Sequence, residues 1–520
     1  MQTLKQLVKL IKESRLRKIE ILGDDNSESQ TSILYRLIRD GKINSDEEAQ
    51  DYFFKEAERA NSLYRHLKSR FTEKIMNFIF FIEPDEKEFG EYTQNTVRLL
   101  RKAAVINIIS RLQLVSIAVA KAEKLLPDLI KFHQTEIILD FLGLIKGHYA
   151  TMYRDRKMYE HYNTLHKKYK EIYWLEMEAK EAFEYVRLEY GKMYGFHPEV
   201  AQTAEKYYKA LEEGMKKYDS RVLHIFGNVV RCSIYSERND YQGLLKVTDE
   251  ALNFFLDKEY HDTLPLTLFS NQKTIACIQL RLYDEGQKNI EFSLARQKTG
   301  SYNWYRTLEH QMILALHTQR YDAAYVTYKQ AINNEGFKRL QSNELAIWKL
   351  FEAYLYLVVR LKKVSPKTIQ SQGKIKDLKT TKFMNEVHEF SFEKAGMNVP
   401  VLIIQNVLLI MQGGKDRQQL GERLEALKQY AHRNIAKGES GYRTNHFIKI
   451  LLELYKTGFQ LKPAKKRIEK LLEEMHENPL IVEQQNYQAE IIPFEYLWEM
   501  MEEVLEPENN CVPPPKIMQP

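Results

Sequence analysis

Three stretches of the 520-residue chain share one spacing. "DYQGLLKVTDEAL" sets Tyr241, Leu244, Thr248 and Ala251 at offsets of three, four and three. "LYDEGQKNIEFSLA" does so with Tyr283, Gly286, Ile290 and Ser293, and "RYDAAYVTYKQAI" with Tyr321, Ala324, Tyr328 and Ala331. On a helix of about 3.6 residues per turn these offsets fall on one face. Small residues on that face let the helices before and after come close, while the larger residue between them fills the groove. A spacing that recurs in this way predicts a fold grown by repetition, in which each helix pair buries its apolar side on the next.

The aromatic, small, aromatic, small order resembles the second helix of the tetratricopeptide repeat. The tyrosines recur after 42 residues (283 − 241) and 38 (321 − 283), against about 34 in the regular repeat. The expected fold class is therefore an all-α, TPR-like α-solenoid of antiparallel helix pairs with a small N-terminal helical domain. Length points the same way, because a single core stops growing at about 250–300 residues. With 44% hydrophobic and 28% charged residues and only 21 Gly and 14 Pro, the composition excludes collagen-like, disordered and turn-rich β chains.

Residues 1–88 read as the N-terminal helical domain, in which Ser45 and Glu48 form an S-x-x-E capping box. TPR-like repeats are expected over 91–361 and an exposed basic connection over 362–380, where "VSPKTIQSQGKIKDLKT" breaks the helical rhythm. C-terminal helical repeats follow over 381–505, and a disordered, proline-rich tail over 506–520.

The run from "MNEVHEFSFEKAGMNVPVLIIQNVLLI" through "RLEALKQYAHRNI" and "NHFIKILLEL" to "IIPFEYLWEMMEEVL" is similar to the C-terminal half of a family of uncharacterised cytoplasmic helical-repeat proteins of Bacteroidota. The resemblance covers roughly residues 380 to 505, with "QGGKD" in place of the polar turn before the "EAL" helix and "SRLRKIEIL" departing from the family's usual opening. It implies a fold and a compartment, and carries no functional residue over.

Charge and cysteine content exclude several function classes. A net charge of +6 from 77 basic and 71 acidic residues does not by itself point to nucleic acid. Cys232, Cys277 and Cys511 are too far apart for a disulfide framework or a CxxC metal site, which implies a reducing compartment. The opening residues do not read as a signal peptide. "VINIISRLQLVSIAVA" is interrupted by Arg111 and "VPVLIIQNVLLIM" is short of the roughly 20 apolar residues that cross a bilayer, so a cytoplasmic protein without a membrane partner is expected.

No catalytic or cofactor motif stands out. His310 and His317 lie two turns apart, and His161 and His166 miss the i, i+4 spacing of helical zinc sites, so no metal is expected. "QGGKD" lacks the pattern of a phosphate-binding loop, and there is no GxSxG elbow. Neither an enzyme nor a cofactor is expected. The stretch "MYRDRKMYEHYNTLHKKYKEIYWLE" interleaves bases and aromatics as single-strand binders do. Yet Tyr159, Tyr162, His166, Tyr169 and Tyr173 sit three or four apart, as on the buried stripe of a helix.

The expected function is a protein-interaction scaffold or adaptor, holding a partner's peptide or helix on a concave repeat surface, with Asn271, Arg306 and His310 as groove positions. The alternative is a transcription regulator or RNA-associated protein. It would use the tyrosine-rich hairpins, or Arg65, Lys68, Arg70 and Lys74 on the last N-terminal helix. Nucleic acid is the less favoured partner, and the oligomeric state is left open.

Overall fold

The computed structural model describes residues 29–55, 57, 59–81, 89–192, 198–375, 398–411, 417–434, 439–477 and 490–505. Among these residues every regular element is helical, with 21 α-helices and a few short 3-10 or π turns. The all-α fold expected from the periodicity is the fold found. The chain divides into two units, residues 1–173 with 259–262, and residues 174–258 with 263–520.

The first unit opens with α1 (Gln30–Arg39), α2 (Asp46–Phe54) and α3 (Ala60–Phe78). The Ser45 hydroxyl starts α2 by accepting the Glu48 N–H at 3.1 Å. The Glu48 carboxylate reaches one residue beyond a regular capping box, to the Asn44 N–H at 2.6 Å. Leu34, Ile38, Ala49, Leu67 and Phe71 form a core shared by these three helices. After them come α4 (Glu91–Arg111), α5 (Val115–Lys131), α6 (Thr135–His148) and α7 (Arg156–Lys192). Helix α4 packs on α5 and α5 on α6, through Ala103, Ala118, Ala122, Leu125 and Ile138 among others. The segment 259–262 closes one end of this group: Tyr260 stacks near Tyr92 and Phe132, with ring centroids 5.4 and 5.1 Å away. The Glu91 carboxylate accepts the His261 N–H at 3.0 Å.

The second unit takes up the chain from the second half of α7. It continues with α8 (Pro198–Lys217), α9 (Arg221–Ser236), α10 (Tyr241–Leu256), α11 (Thr263–Gln279), α12 (Tyr283–Leu294), α13 (Tyr302–His317), α14 (Tyr321–Ile332) and α15 (Ser342–Arg360). From α8 onward each packs on the next, and α11 also touches α13.

Tyr241, Tyr283 and Tyr321 occupy one recurring setting. Each is the first residue of its helix, two places after a left-handed residue: Asn239 (φ 53°), Arg281 (φ 57°) and Gln319 (φ 55°). The next N–H then reaches back five residues, Asp240 to the Tyr235 carbonyl at 2.9 Å, and Leu282 to Cys277 and Arg320 to Ala315 at 2.8 Å each. This is the Schellman closure, which satisfies a carbonyl left orphaned at the helix end. Gln113 and His133 build the same joint before α5 and α6. The shared stripe is buried where expected, at Leu244, Ala251, Ile290, Ser293, Ala324 and Ala331. At Gly286 a Cβ would lie 3.0 Å from Leu314 Cδ1 and 3.3 Å from Cys277 Cβ, so any side chain there would have to push its neighbours on α11 and α13 back by a few tenths of an ångström.

The remaining helices are α16 (Pro366–Gln372), α17 (Asn398–Met411), α18 (Arg417–Asn434), α19 (Glu439–Lys456), α20 (Leu461–His476) and α21 (Phe494–Leu505). The stretch 362–380, read as an exposed connection, is exposed or half-buried over residues 362–375 apart from Val364, and it contains α16, capped by Ser365 and started by Pro366 at a position that suits proline. It is docked on α14: Asp322 accepts the Ser365 N–H and hydroxyl at 3.0 and 2.8 Å, Tyr325 Oη donates to the Gly373 carbonyl at 2.7 Å, and Lys329 Nζ donates to the Lys374 carbonyl at 2.9 Å. Residues 376–380 and the tail 506–520 lie outside the described residues.

One expectation of a stacked repeat needs correction at the end of the chain, where contacts are not confined to neighbouring helices. Glu490, just before α21, accepts on its backbone carbonyl from His317 Nε2 at 2.5 Å, 173 residues away. Arg443 on α19 holds both Glu490 (2.6 and 3.0 Å) and Glu495 (2.8 and 2.7 Å), and donates to the Met475 carbonyl at 2.6 Å. A buried guanidinium cannot be left unpaired, so the two carboxylates hold the start of the last helix against α19, while α21 also packs on α17 and α20 and Glu490 reaches α13.

Candidate interaction surface

The three groove positions expected from the sequence are spoken for inside the fold. Asn271 Oδ1 accepts from Thr307 Oγ1 at 3.1 Å, tying α11 to α13. Arg306 pairs with the buried Glu309 at 2.5 Å. His310 is only 3% exposed and does not reach solvent. Neither of its ring nitrogens has a hydrogen-bond partner, and burial holds its pKa down to about 3, so it is neutral.

Of the four basic residues singled out on α3, Lys68 pairs with Asp46 at 2.9 Å and Lys74 Nζ donates to Thr31 Oγ1 at 3.0 Å. Arg65 and Arg70 stand exposed. On α3 only a narrow stripe that includes Tyr64, Leu67, Phe71 and Ile75 is buried.

The tyrosine stripe of α7 turns inward. Tyr162 and Tyr149 both donate to Glu123 Oε1, at 3.0 and 2.9 Å, and their rings stack 5.7 Å apart. Tyr169 is buried, and Tyr159, His166 and Tyr173 are half-buried. His166 Nδ1 lies 3.1 Å from Lys146 Nζ, and burial together with that charge lowers its pKa. Among the described residues no three His, Cys, Asp or Glu side chains gather to hold a metal. The thiols of Cys232 and Cys277 are buried and pushed up to about 12, far from the thiolate a nucleophile needs. Cys511 and "QGGKD" lie outside the described residues.

What the fold leaves open is apolar. On α4, Val105 (53% exposed), Ile108 (57%) and Leu112 (66%) point away from the buried Ala103 and Ile106. Their spacing of three and four puts them on one line. Leu100 flanks them, and beyond the turn at Gln113 the ridge continues with Leu114 and Ile117 at the start of α5, both half exposed. Among the described residues the helix packed most extensively on α4 is α5, and the apolar residues on the far side of α4 stay exposed.

The ridge is also basic. Between residues 98 and 124 the chain carries Arg98, Arg101, Lys102, Arg111, Lys121 and Lys124 against a single acid, Glu123. That acid is already engaged by Tyr149 and Tyr162. Lys102, Arg111, Lys121 and Lys124 are exposed. Covering such a ridge would contribute on the order of 1 kcal/mol for each half-exposed aliphatic side chain, set against the entropy lost on association. Sequence reasoning missed it, although "VINIISRLQLVSIAVA" was legible as one of the most apolar runs of the chain.

No helix among the described residues is long and apolar enough to cross a membrane. In comparisons with known proteins, no protein-family model, no curated protein and no solved structure matches the chain.

Proposed function

We propose that the protein is a non-enzymatic interaction scaffold of the cytoplasm that binds another protein through the α4–α5 ridge. The observation that carries this reading is the set of exposed aliphatic side chains Val105, Ile108, Leu112, Leu114 and Ile117 in one basic-rimmed face. Contiguous exposed apolar area of this kind favours association. Its chemistry calls for an amphipathic partner with acidic flanks, docking by anchors at i, i+3 or i+4, and i+7. The likeness of residues 380 to 505 to helical-repeat proteins of Bacteroidota supports the same compartment. The test is affinity capture with the wild type and with Ile108→Glu/Leu112→Glu: a protein retained only by the wild type supports the reading, and identical retention by both contradicts it.

A second reading rests on α3, where Arg65 and Arg70 stand exposed on a helix that is largely open. There the N-terminal helices would contact a nucleic-acid backbone. Retention of DNA or RNA that falls steeply with salt and is lost in Arg65→Ala/Arg70→Ala would support it.

A further inference from the structure

The ridge on α4 and α5 has a counterpart on the same chain. Along the second half of α7, Trp174 (66% exposed), Met177 (44%), Tyr185 (38%) and Leu188 (62%) lie on one line with Glu181, at spacings of three and four. Ala179, Ala182 and Val186 are buried on the opposite side, against the helices that follow. The open side is acidic: Glu178, Glu181 and Glu184 lie along it, whereas Lys180 and Arg187, the two bases between 171 and 188, project elsewhere by helical spacing. Glu176, on the inner side, is buried and accepts from Ser220 Oγ at 2.6 Å.

The two faces match in chemistry and in length. Leu100 to Leu112 spans about 18 Å of helix and Trp174 to Leu188 about 21 Å, at about 1.5 Å per residue. One is aliphatic with lysine and arginine at its rim; the other is aromatic and thioether-bearing with glutamates at its rim. Each face is exposed among the described residues, and the two carry opposite rim charges. We infer that the occupant of each is a second copy of this chain, the α4–α5 ridge of one copy docking on the α7 stripe of the other. Rim charges set the register and the apolar line is covered between them. A head-to-tail contact of this kind closes into a pair when both chains use both faces, and into a larger ring or an open chain when they do not.

This inference rests on the ridge being a protein-binding surface and adds the identity of what binds. Its test is sedimentation of the full-length chain across a range of concentrations and salt. The wild type is expected to associate reversibly, and less so at high salt. Lys102→Glu/Lys121→Glu/Lys124→Glu takes the ridge over residues 98–124 from a net charge of +5 (6 − 1) to −1 (3 − 4), and Glu181→Lys/Glu184→Lys makes the stripe basic. Each variant alone is expected to lose about tenfold or more in self-affinity, because its two faces now carry the same sign. Mixed together, they present opposite signs at both contacts, and association is expected to return. All five positions are exposed, and thermal melts of the variants check that the fold is kept.

A wild type that stays monomeric throughout, or variants that associate as the wild type does, would overturn the inference. So would a monomeric chain whose ridge instead binds vesicles of anionic phospholipid and loses that binding in Ile108→Glu. A monomeric wild type that still captures some other protein, lost in Ile108→Glu/Leu112→Glu, would end the self-association and leave the scaffold reading intact. If the ridge variant alters neither association nor capture, both fall.

Discussion

Helices α4 and α13 invert each other. Helix α13 keeps Glu309, His310 and His317 buried, whereas α4 holds Val105, Ile108 and Leu112 in solvent. The difference lies in what covers each helix. Around α13 there are α11, α12 and α14, and the segment at Glu490 returns from the end of the chain to its last turn. Helix α4 is covered mainly by α5, with segment 259–262 at its first turn, and among the described residues Val105, Ile108 and Leu112 stay exposed. Polar residues are therefore retained inside where several elements converge, and apolar ones are left outside where the stack begins. Burial of polar groups is stabilising only if they are paired or neutral, while exposure of apolar ones favours association. The first region should respond to substitution and pH through stability, the second through binding.

The largest stability effect is expected at Arg443. Replacing it with Ala leaves Glu490 and Glu495 facing each other without a cation, at a cost of about 3–5 kcal/mol. Urea denaturation at neutral pH measures it, and a cost below about 1 kcal/mol would mean that the returning segment is not held by this cluster.

Next comes pH. His310 is held down to about 3 by burial and the Arg306 charge. His317 is held to about 4 by burial, with Arg443 and Arg281 adding to the effect and the Glu490 carbonyl opposing it. Both folded values lie below the unfolded value of about 6.5, so the unfolded chain binds more protons between them. Their contribution to stability is present above about pH 6.5 and is lost as pH falls toward the folded values. Between pH 7 and pH 5 each costs roughly 2 kcal/mol. Denaturation midpoints at the two pH values read the sum, and His310→Leu should remove about half of it.

A packing effect follows at Gly286. Gly286→Val places atoms against Leu314 and Cys277 and should cost about 1–3 kcal/mol by thermal melt. The smallest effect is at the turns. Gln319→Gly relieves a left-handed residue that carries a side chain, and should be neutral or stabilising by up to about 1 kcal/mol. The same substitution at Lys329, inside α14, should destabilise by about 1 kcal/mol or more.

The repeat was legible because its signal is local. Tyr241, Tyr283 and Tyr321 mark the same position in three helices, and the buried stripe follows from spacing alone. The cap at Ser45 was readable for the same reason. The joints were less so: Asn239, Arg281 and Gln319 adopt the conformation usually given to glycine, and nothing in their chemistry announces it except, weakly, the asparagine. Burial of His310 was not readable from its helix, because it depends on elements brought in from elsewhere in the chain. The ridge escaped notice for the opposite reason, since an apolar run looks the same in sequence whether or not a partner covers its second face. Of the candidate surface, the basic bias between residues 98 and 124 was in plain view, and its exposure was not.

The most direct test of the contrast is the rate of thiol modification at position 108 in an Ile108→Cys/Cys511→Ser chain, followed as the protein is concentrated or mixed with a captured partner. Cys232 and Cys277 are buried with raised pKa values and should remain silent. A fast rate in the dilute chain that slows several-fold on association is the expected result. A rate as slow as that of the buried thiols at every dilution, or a fast one that no protein slows, would contradict the account of α4 as an open docking face.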